Sequence, residues 1–358
     1  MAAINIVNGN LLNAPVEVLV NTVNIEGVMG KGIALQFKQA FPAMYKEYER
    51  ACKLGEMKLG KVHVYDLGGL VGGPRWIVNF PTKGHWRSKS KLSDVKAGLD
   101  DLVSEVQRLG IRSIALPPLG CGLGGLKWED VRPLIEQAFS TCEGVDVQLY
   151  APTGAPSAAE MPNRTECPKM TVGRAALILM MKRYVDALLD PFVSLLEIHK
   201  LMYFLQEAGQ PLRLKYEPMK YGPFASNLRQ VLIKIEGHYL TGYGDGFDYP
   251  DKPMETINDA DQLAQEFVQH DLELQRRMDR VSQLINGFED PYGLELLSTV
   301  HWVMHHEAEA MESADAAIAA VHCWNSRKKA VLKDEHLRRA WQHLKSLKWD
   351  KESQSAMA

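Results

Sequence analysis

Two glycine-rich turns and one lysine carry most of the chemistry available to this sequence. The first turn, V-N-T-V-N-I-E-G-V-M-G-K-G-I-A, spans residues 20–34, and the second, L-P-P-L-G-C-G-L-G-G-L-K-W, spans 116–128. Each runs from a strand-like stretch into a helix-like one. In open α/β sheets that edge is where ligands bind. Glycines let the backbone approach a phosphate, and helix N-termini offer unpaired N–H groups. One such turn is weak evidence, because tight turns use glycine anyway. Two facing turns could grip a diphosphate from both sides. Neither fits G-x-x-x-x-G-K-[ST], so a nucleoside-triphosphatase P-loop is not indicated. Lys83 stands in F-P-T-K-G-H-W, residues 80–86, directly after the apolar run R-W-I-V-N-F. Alone it reads as a solvated surface lysine. Beside two glycine turns it is a candidate for chemistry on a ligand held there. A partly buried amine loses its proton more readily and can act as a nucleophile, or, kept charged, it can stabilise a leaving group or hold a phosphate. His85, Trp86, Arg87, Lys89 and Lys91 follow at once. An aromatic next to a basic cluster suits single-stranded DNA, with bases stacked and phosphates neutralised. It equally suits a solvated basic loop with Trp86 packed beneath it.

The elements that must position these residues alternate. Residues 16–23 look like a buried strand. Residues 33–51 have helical spacing through Ile33, Phe37, Phe41, Tyr45 and Tyr48. Residues 61–67 and 75–80 are β-rich and could form a hairpin. Residues 92–109 place Leu92, Val95, Leu99, Leu102, Val103 and Val106 on one helical face. Residues 112–116 and 145–150 read as strands, with a helix over 128–140 between them. This alternation predicts an α/β domain with a largely parallel sheet. Residues 151–168 contain four prolines and little that is apolar, a linker by composition. Beyond it the spacing predicts helices over 172–189, 194–208, 224–235, 258–285, 293–311 and 313–345, so the second domain is mainly α. Short irregular or β pieces are expected near 212–220 and 236–248.

The chain has 358 residues, enough for two domains with sizeable cores. Its apolar runs are too short for a membrane span, and its N-terminus lacks the pattern of a secretion signal, so a cytoplasmic location is expected. The five cysteines are scattered and form no C-x-x-C pair, which argues against a disulfide framework or structural zinc. Cys121 in the second turn reads as a small packed residue or a reactive thiol. His301 and His305 share a helical face but do not form H-E-x-x-H, and no metal site is expected. Residues 1–155 hold 17 basic and 15 acidic side chains, against 24 and 29 beyond them. Nine acids and one lysine fall within 245–273, among them Asp245, Asp248 and Asp251. That run is a solvated face, or a surface that imitates nucleic acid toward a basic partner.

V-N-G-N-L-L at 7–12, V-N-T-V-N at 20–24, G-V-M-G-K-G-I-A at 27–34 and P-P-L-G-C-G-L-G-G-L at 117–126 together resemble a macrodomain over residues 1–152. The resemblance implies a site for ADP-ribose. By position, Asn10 and Leu11 lie by the adenine, and Asn21 and Asn24 by the distal ribose. Gly30, Lys31, Gly32 and Ile33 face Leu119, Gly120, Cys121, Gly122, Leu123, Gly124 and Gly125 across the diphosphate and distal ribose. Many macrodomains carry an aspartate in place of Asn10. The asparagine amide oxygen can still accept from the adenine amino group, without the charge. F-P-T-K-G-H-W is similar to the DNA ADP-ribosyl glycohydrolase antitoxins of DarT–DarG pairs and to the related terminal ADP-ribose glycohydrolases. In those the lysine matching Lys83 is catalytic, and His85, Trp86 and Arg87 become candidates for contacting DNA. Human-type relatives add an aspartate, in G-C-G-L-D, where this chain has Gly124, which puts a two-residue mechanism in question.

In the second domain, K-L-x-Y-F-x-Q at 200–206 and Y-G-P at 221–223 resemble the Panacea antitoxin domain also present in SocA-like proteins. The implied layout is a macrodomain over 1–152, a linker over 153–168 and a toxin-binding domain over 169–358. The implied function is removal of ADP-ribose from thymidine in single-stranded DNA, joined to neutralisation of a cognate DarT-type transferase by direct binding. Asp245, Asp248 and Asp251 are the candidate toxin contacts. No cofactor is implied, because ADP-ribose is the substrate moiety, and no membrane partner. A non-catalytic ADP-ribose reader and a glycohydrolase acting on modified protein are the competing readings.

Overall fold

The computed structural model describes residues 2–69, 73–152, 161–188, 192–244, 249–257 and 259–350. The chain divides into two compact units, one through Glu166 and one from Cys167.

In the first unit the strands are β1 (Ala3–Val7), β2 (Val18–Asn24), β3 (His63–Asp66), β4 (Trp76–Lys83), β5 (Ser113–Leu116) and β6 (Asp146–Tyr150). They form one sheet in the order β1-β6-β5-β2-β4-β3, parallel throughout except for β3 against β4. The central strands read as apolar runs because helices cover both faces. These helices are α1 (Gly32–Ala40), α2 (Pro42–Lys53), α3 (Leu92–Leu109) and α4 (Trp128–Phe139). Val95, Leu99, Leu102 and Val106 of α3 are buried as their spacing predicts, whereas Leu92 is exposed. The single helix expected over 33–51 is two helices. Pro42 has no N–H to continue α1 and instead starts α2 at its first turn. β1 was not anticipated; it is an edge strand whose side chains are mostly exposed, so burial leaves no pattern in its sequence.

The second unit contains α5 (Val172–Ala187), β7 (Val193–Ser194), α6 (Leu195–Glu207), β8 (Tyr216–Met219), β9 (Gly222–Ala225), α7 (Leu228–Ile235), β10 (Leu240–Thr241) and β11 (Pro253–Thr256). It continues with α8 (Ala260–Phe267), α9 (Leu272–Ile285), α10 (Pro291–His306), α11 (Ala308–Glu312), α12 (Ala314–Trp324), α13 (Ser326–Val331) and α14 (Asp334–Ser346). Three of the long helices expected from spacing are interrupted: 258–285 and 313–345 where Asp271 and Asn325 cap the new starts of α9 and α13, and 293–311 at Glu307, where α11 begins without a side-chain cap. The helix expected from 224 begins at Leu228, because 222–225 pair with β8. Among the described residues no helix is long and apolar enough to cross a membrane.

The K-L-x-Y-F and Y-G-P segments meet in a buried polar cluster. Lys200 Nζ donates to the Pro223 carbonyl at 2.7 Å, and burial brings its pKa down to about 7. Lys328, also buried, donates to Glu295 Oε1 at 3.0 Å and Thr299 Oγ1 at 2.8 Å, while Arg327 reaches the same carboxylate at 2.6 Å. Gly222 has a φ of +97°, and a β-carbon there would lie 2.9 Å from Thr299 Oγ1 and 3.3 Å from Lys200 Nζ. Removing one partner from a buried ion pair leaves the other charge uncompensated. Glu295→Gln is therefore expected to destabilise the second unit by about 3–5 kcal/mol, read as a lowered denaturant midpoint.

Candidate active site

The site forms where β2, β4 and β5 end. β2 pairs with β5 only at Val18–Leu19, opposite Ile114–Ala115, although β2 runs on to Asn24. Pro117 and Pro118 follow β5 directly and cannot donate to a ladder, so the strands part. The first turn leaves β2 on one side of the opening and the second leaves β5 on the other.

β4 pairs with β2 in step from Trp76 to Pro81, and then Lys83, not Thr82, stands opposite Asn24. Thr82 is the surplus residue of a bulge, and it is buried with its Oγ1 near the Val23 carbonyl. Pro81 fits here because β3 stops opposite Asn79 and asks for no donor beyond it. A bulge re-aims the side chain that follows. Lys83 Nζ donates to the Leu123 carbonyl of the second turn at 3.2 Å. Partial burial lowers its pKa.

The first turn is wrapped on Asn24. Its Oδ1 accepts from the N–H groups of Glu26 (2.9 Å) and Val28 (3.3 Å), and its Nδ2 donates to the Val28 carbonyl at 2.6 Å. Tyr48 donates from below to the Asn24 carbonyl at 2.7 Å. Asn21 is fully buried. It donates to Asn79 Oδ1 at 3.0 Å and packs against Met29 Sδ, so it supports the turn from beneath. Asn10 Oδ1 accepts from the Leu12 N–H at 3.0 Å and caps a short 3-10 turn with Leu11 buried in it. The oxygen assigned to adenine is thus engaged within its own loop, and Nδ2 has no hydrogen-bond partner among the described residues. Lys31 precedes α1 without a side-chain cap, and Gly30, Gly32 and Ile33 lie beside it at that helix start.

The second turn is closed by main-chain bonds: Leu126 N–H to Gly120 (3.0 Å), Cys121 to Pro118 (3.1 Å) and Gly125 to Gly122 (3.0 Å). Leu119 is buried in the core and Leu123 is 68% exposed at the tip. Gly124 has no room for a side chain, since a β-carbon would lie 2.3 Å from Ser90 Oγ and 2.4 Å from the Gly120 carbonyl oxygen. The aspartate of human-type relatives does not fit this backbone. Cys121 Sγ lies 3.6 Å from the Leu119 carbonyl oxygen, and burial with Glu129 and Asp130 nearby pushes its pKa up to about 11, which keeps it a thiol.

Beyond Lys83, the His85 and Trp86 rings stack 5.1 Å apart, and the Arg87 guanidinium lies 4.3 Å from the Trp86 ring centre. His85 Nδ1 accepts from the Arg87 N–H at 3.0 Å and Nε2 lies 3.5 Å from Glu26 of the first turn. Sequence reasoning missed Glu26, Tyr48, Asn79 and Ser90. Only Asn79 leaves a signal, as a polar residue within an apolar strand.

In the second unit, His301 pairs with the Tyr203 hydroxyl at 2.8 Å and His305 with the Trp349 carbonyl oxygen at 2.9 Å. Both have structural partners, and no group of three metal ligands occurs among the described residues. Asp251 is exposed; Asp245 and Asp248 lie outside the described residues.

The Macro domain family matches residues 20–135. A DNA ADP-ribosyl glycohydrolase of Thermus aquaticus is 45% identical over 334 residues, covering 92% of this chain and 90% of that protein. One from Mycobacterium tuberculosis is 43% identical over 342 residues, covering 92% and 96%. A DNA ADP-ribosyl transferase–DNA ADP-ribosyl glycohydrolase fusion protein of Thermosipho africanus is 34% identical over 163 residues, 42% of each chain. Identity of this order over most of both lengths shows that the chain belongs to the DNA ADP-ribosyl glycohydrolases.

Proposed function

We propose that this protein releases ADP-ribose from thymidine in single-stranded DNA with Lys83 as nucleophile, and that its second unit neutralises a cognate DarT-type transferase by binding it. The observation that carries the reading is the Lys83 amine at the end of β4, opposite Asn24 of the first turn and bonded to Leu123 of the second. A diphosphate held between the turns would bring the distal ribose to that amine.

Neutral Lys83 attacks the anomeric carbon, and the bond to the base nitrogen breaks. The base leaves as an imide anion and takes, directly or through water, the proton that the attacking amine gives up. The sugar ring opens to a Schiff base, and water hydrolyses it to free ADP-ribose and the amine. Water is the co-reactant; neither a metal nor a redox cofactor enters these steps. The stacked His85–Trp86 pair with Arg87 supports DNA over protein as the carrier, since such a surface receives bases and phosphates.

Trp86→Ala is expected to weaken binding of single-stranded DNA by about 1–3 kcal/mol per stacked base, measured by fluorescence anisotropy, with free ADP-ribose binding unchanged. The Thermosipho fusion of transferase and glycohydrolase supports pairing with a toxin. The acidic run around Asp251 supplies the charge to meet a DNA-binding groove. The wild type and Lys83→Ala, each incubated with ADP-ribosylated single-stranded DNA and with ADP-ribosylated protein, test the reading. Release from DNA by the wild type alone supports it. Release from protein only, or from neither, would overturn it.

A further inference from the structure

Ser90 lies between α3 and the second turn, and the proposed reaction leaves it without a role. It is 7% exposed, and its hydroxyl has no hydrogen-bond partner among the described residues. Its N–H donates to the Gly124 carbonyl at 2.9 Å. Its side chain fills the space between the two ends of the turn. A β-carbon on Gly120 would lie 3.0 Å from Ser90 Cβ, and one on Gly124 would lie 2.3 Å from Ser90 Oγ. The residue before Gly124 is Leu123, whose carbonyl takes the Lys83 amine. Main chain and side chain of Ser90 therefore fix the height of the segment that orients Lys83.

We propose that Ser90 is a positioning residue for the Lys83 amine, acting through the Gly124 and Leu123 main chain, an inference that rests on Lys83 being the nucleophile. Two consequences separate this role from ordinary packing. A buried hydroxyl without a partner costs stability, so Ser90→Ala should melt no lower than the wild type. The same substitution leaves the N–H bond to Gly124 but removes the atom wedged against it, so the Leu123 carbonyl gains freedom. The amine is then less well aimed and better solvated. A small misplacement of a reacting group lowers the rate without weakening binding elsewhere.

The test is single-turnover release of ADP-ribose from ADP-ribosylated single-stranded DNA by the full chain across a pH series. Calorimetric binding of free ADP-ribose and a thermal melt accompany it. For Ser90→Ala the account expects a rate about tenfold lower, unchanged ADP-ribose affinity, an undiminished melting temperature and a rate–pH limb displaced to higher pH. Ser90→Cys, which refills the wedge, should recover most of the rate. A wild-type rate and pH limb in Ser90→Ala would overturn the role, as would a rate loss matched by a lower melting temperature and weaker ADP-ribose binding. Failure of the underlying reading is distinguishable, because Lys83→Ala would then match the wild type in the same assay.

Discussion

Lys83→Ala is expected to lower single-turnover release of ADP-ribose from modified DNA by roughly 10²–10⁴-fold while leaving ADP-ribose affinity nearly unchanged. On the proposed mechanism the loss falls on the chemical step, because the Lys83 amine, which bonds the protein's own Leu123 carbonyl, would meet the ligand only at the reacting carbon. Lys83→Arg separates the two ways a lysine could act. Arginine keeps the charge but cannot deprotonate in a protein. If the side chain only stabilises a leaving anion, Arg retains much of the rate; if it is a nucleophile, Arg is as inactive as Ala. The nucleophile account expects the second result. The pH dependence follows from the same protonation. Attack needs the neutral amine, and burial holds its pKa below the ordinary 10.5. The wild-type rate should therefore rise with pH and level off before the range in which an exposed lysine titrates.

Gly124→Ala is the second large effect. A β-carbon there collides with Ser90 Oγ and with the Gly120 carbonyl, and one of these is backbone that cannot swing aside. Overpacking at such a point costs about 1–3 kcal/mol, and the loop must move to relieve it. Leu123 moves with it, so ADP-ribose affinity and rate should both fall, measured by calorimetry and single-turnover release. Gly124→Asp should behave the same way. Supplying an aspartate at this place is expected to harm this chain, because its backbone has no room for the side chain. The departure at Gly124 thus has a structural reason, and the Lys83 amine meets the Leu123 main-chain carbonyl beside it.

Much of this was legible in the sequence. The apolar runs before the two glycine-rich turns and before Lys83 read as strands, and the structure has β2, β5 and β4 there. What the residues do not announce is the bulge at Thr82, because a bulge is a property of the pairing and not of one strand. The helical period of Phe37, Phe41 and Tyr45 runs straight across Pro42, but the missing N–H of that proline ends one helix and starts the next. Asn21 and Asn10 are candidate ligand contacts by position, and the structure adds a loop-shaping role to each: Asn21 Nδ2 bonds Asn79 and Asn10 Oδ1 caps its own loop. Composition cannot tell a polar side chain that meets a ligand from one that shapes the loop around it. The Lys200, Glu295 and Lys328 cluster lay beyond reach for another reason, since its members are distant in sequence and share no period. The K-L-x-Y-F and Y-G-P segments carry a resemblance in sequence, and only the fold shows that Lys200 ties one to the other.

The most direct measurement of the central claim is a covalent trap. The full chain is mixed with ADP-ribosylated single-stranded DNA in the presence of borohydride, digested, and its peptides weighed by mass spectrometry. Borohydride reduces a Schiff base to a stable amine, so the account predicts a reduced ADP-ribosyl adduct on the peptide carrying Lys83, absent from Lys83→Ala. Turnover without any trapped adduct, together with undiminished release by Lys83→Ala, would contradict it.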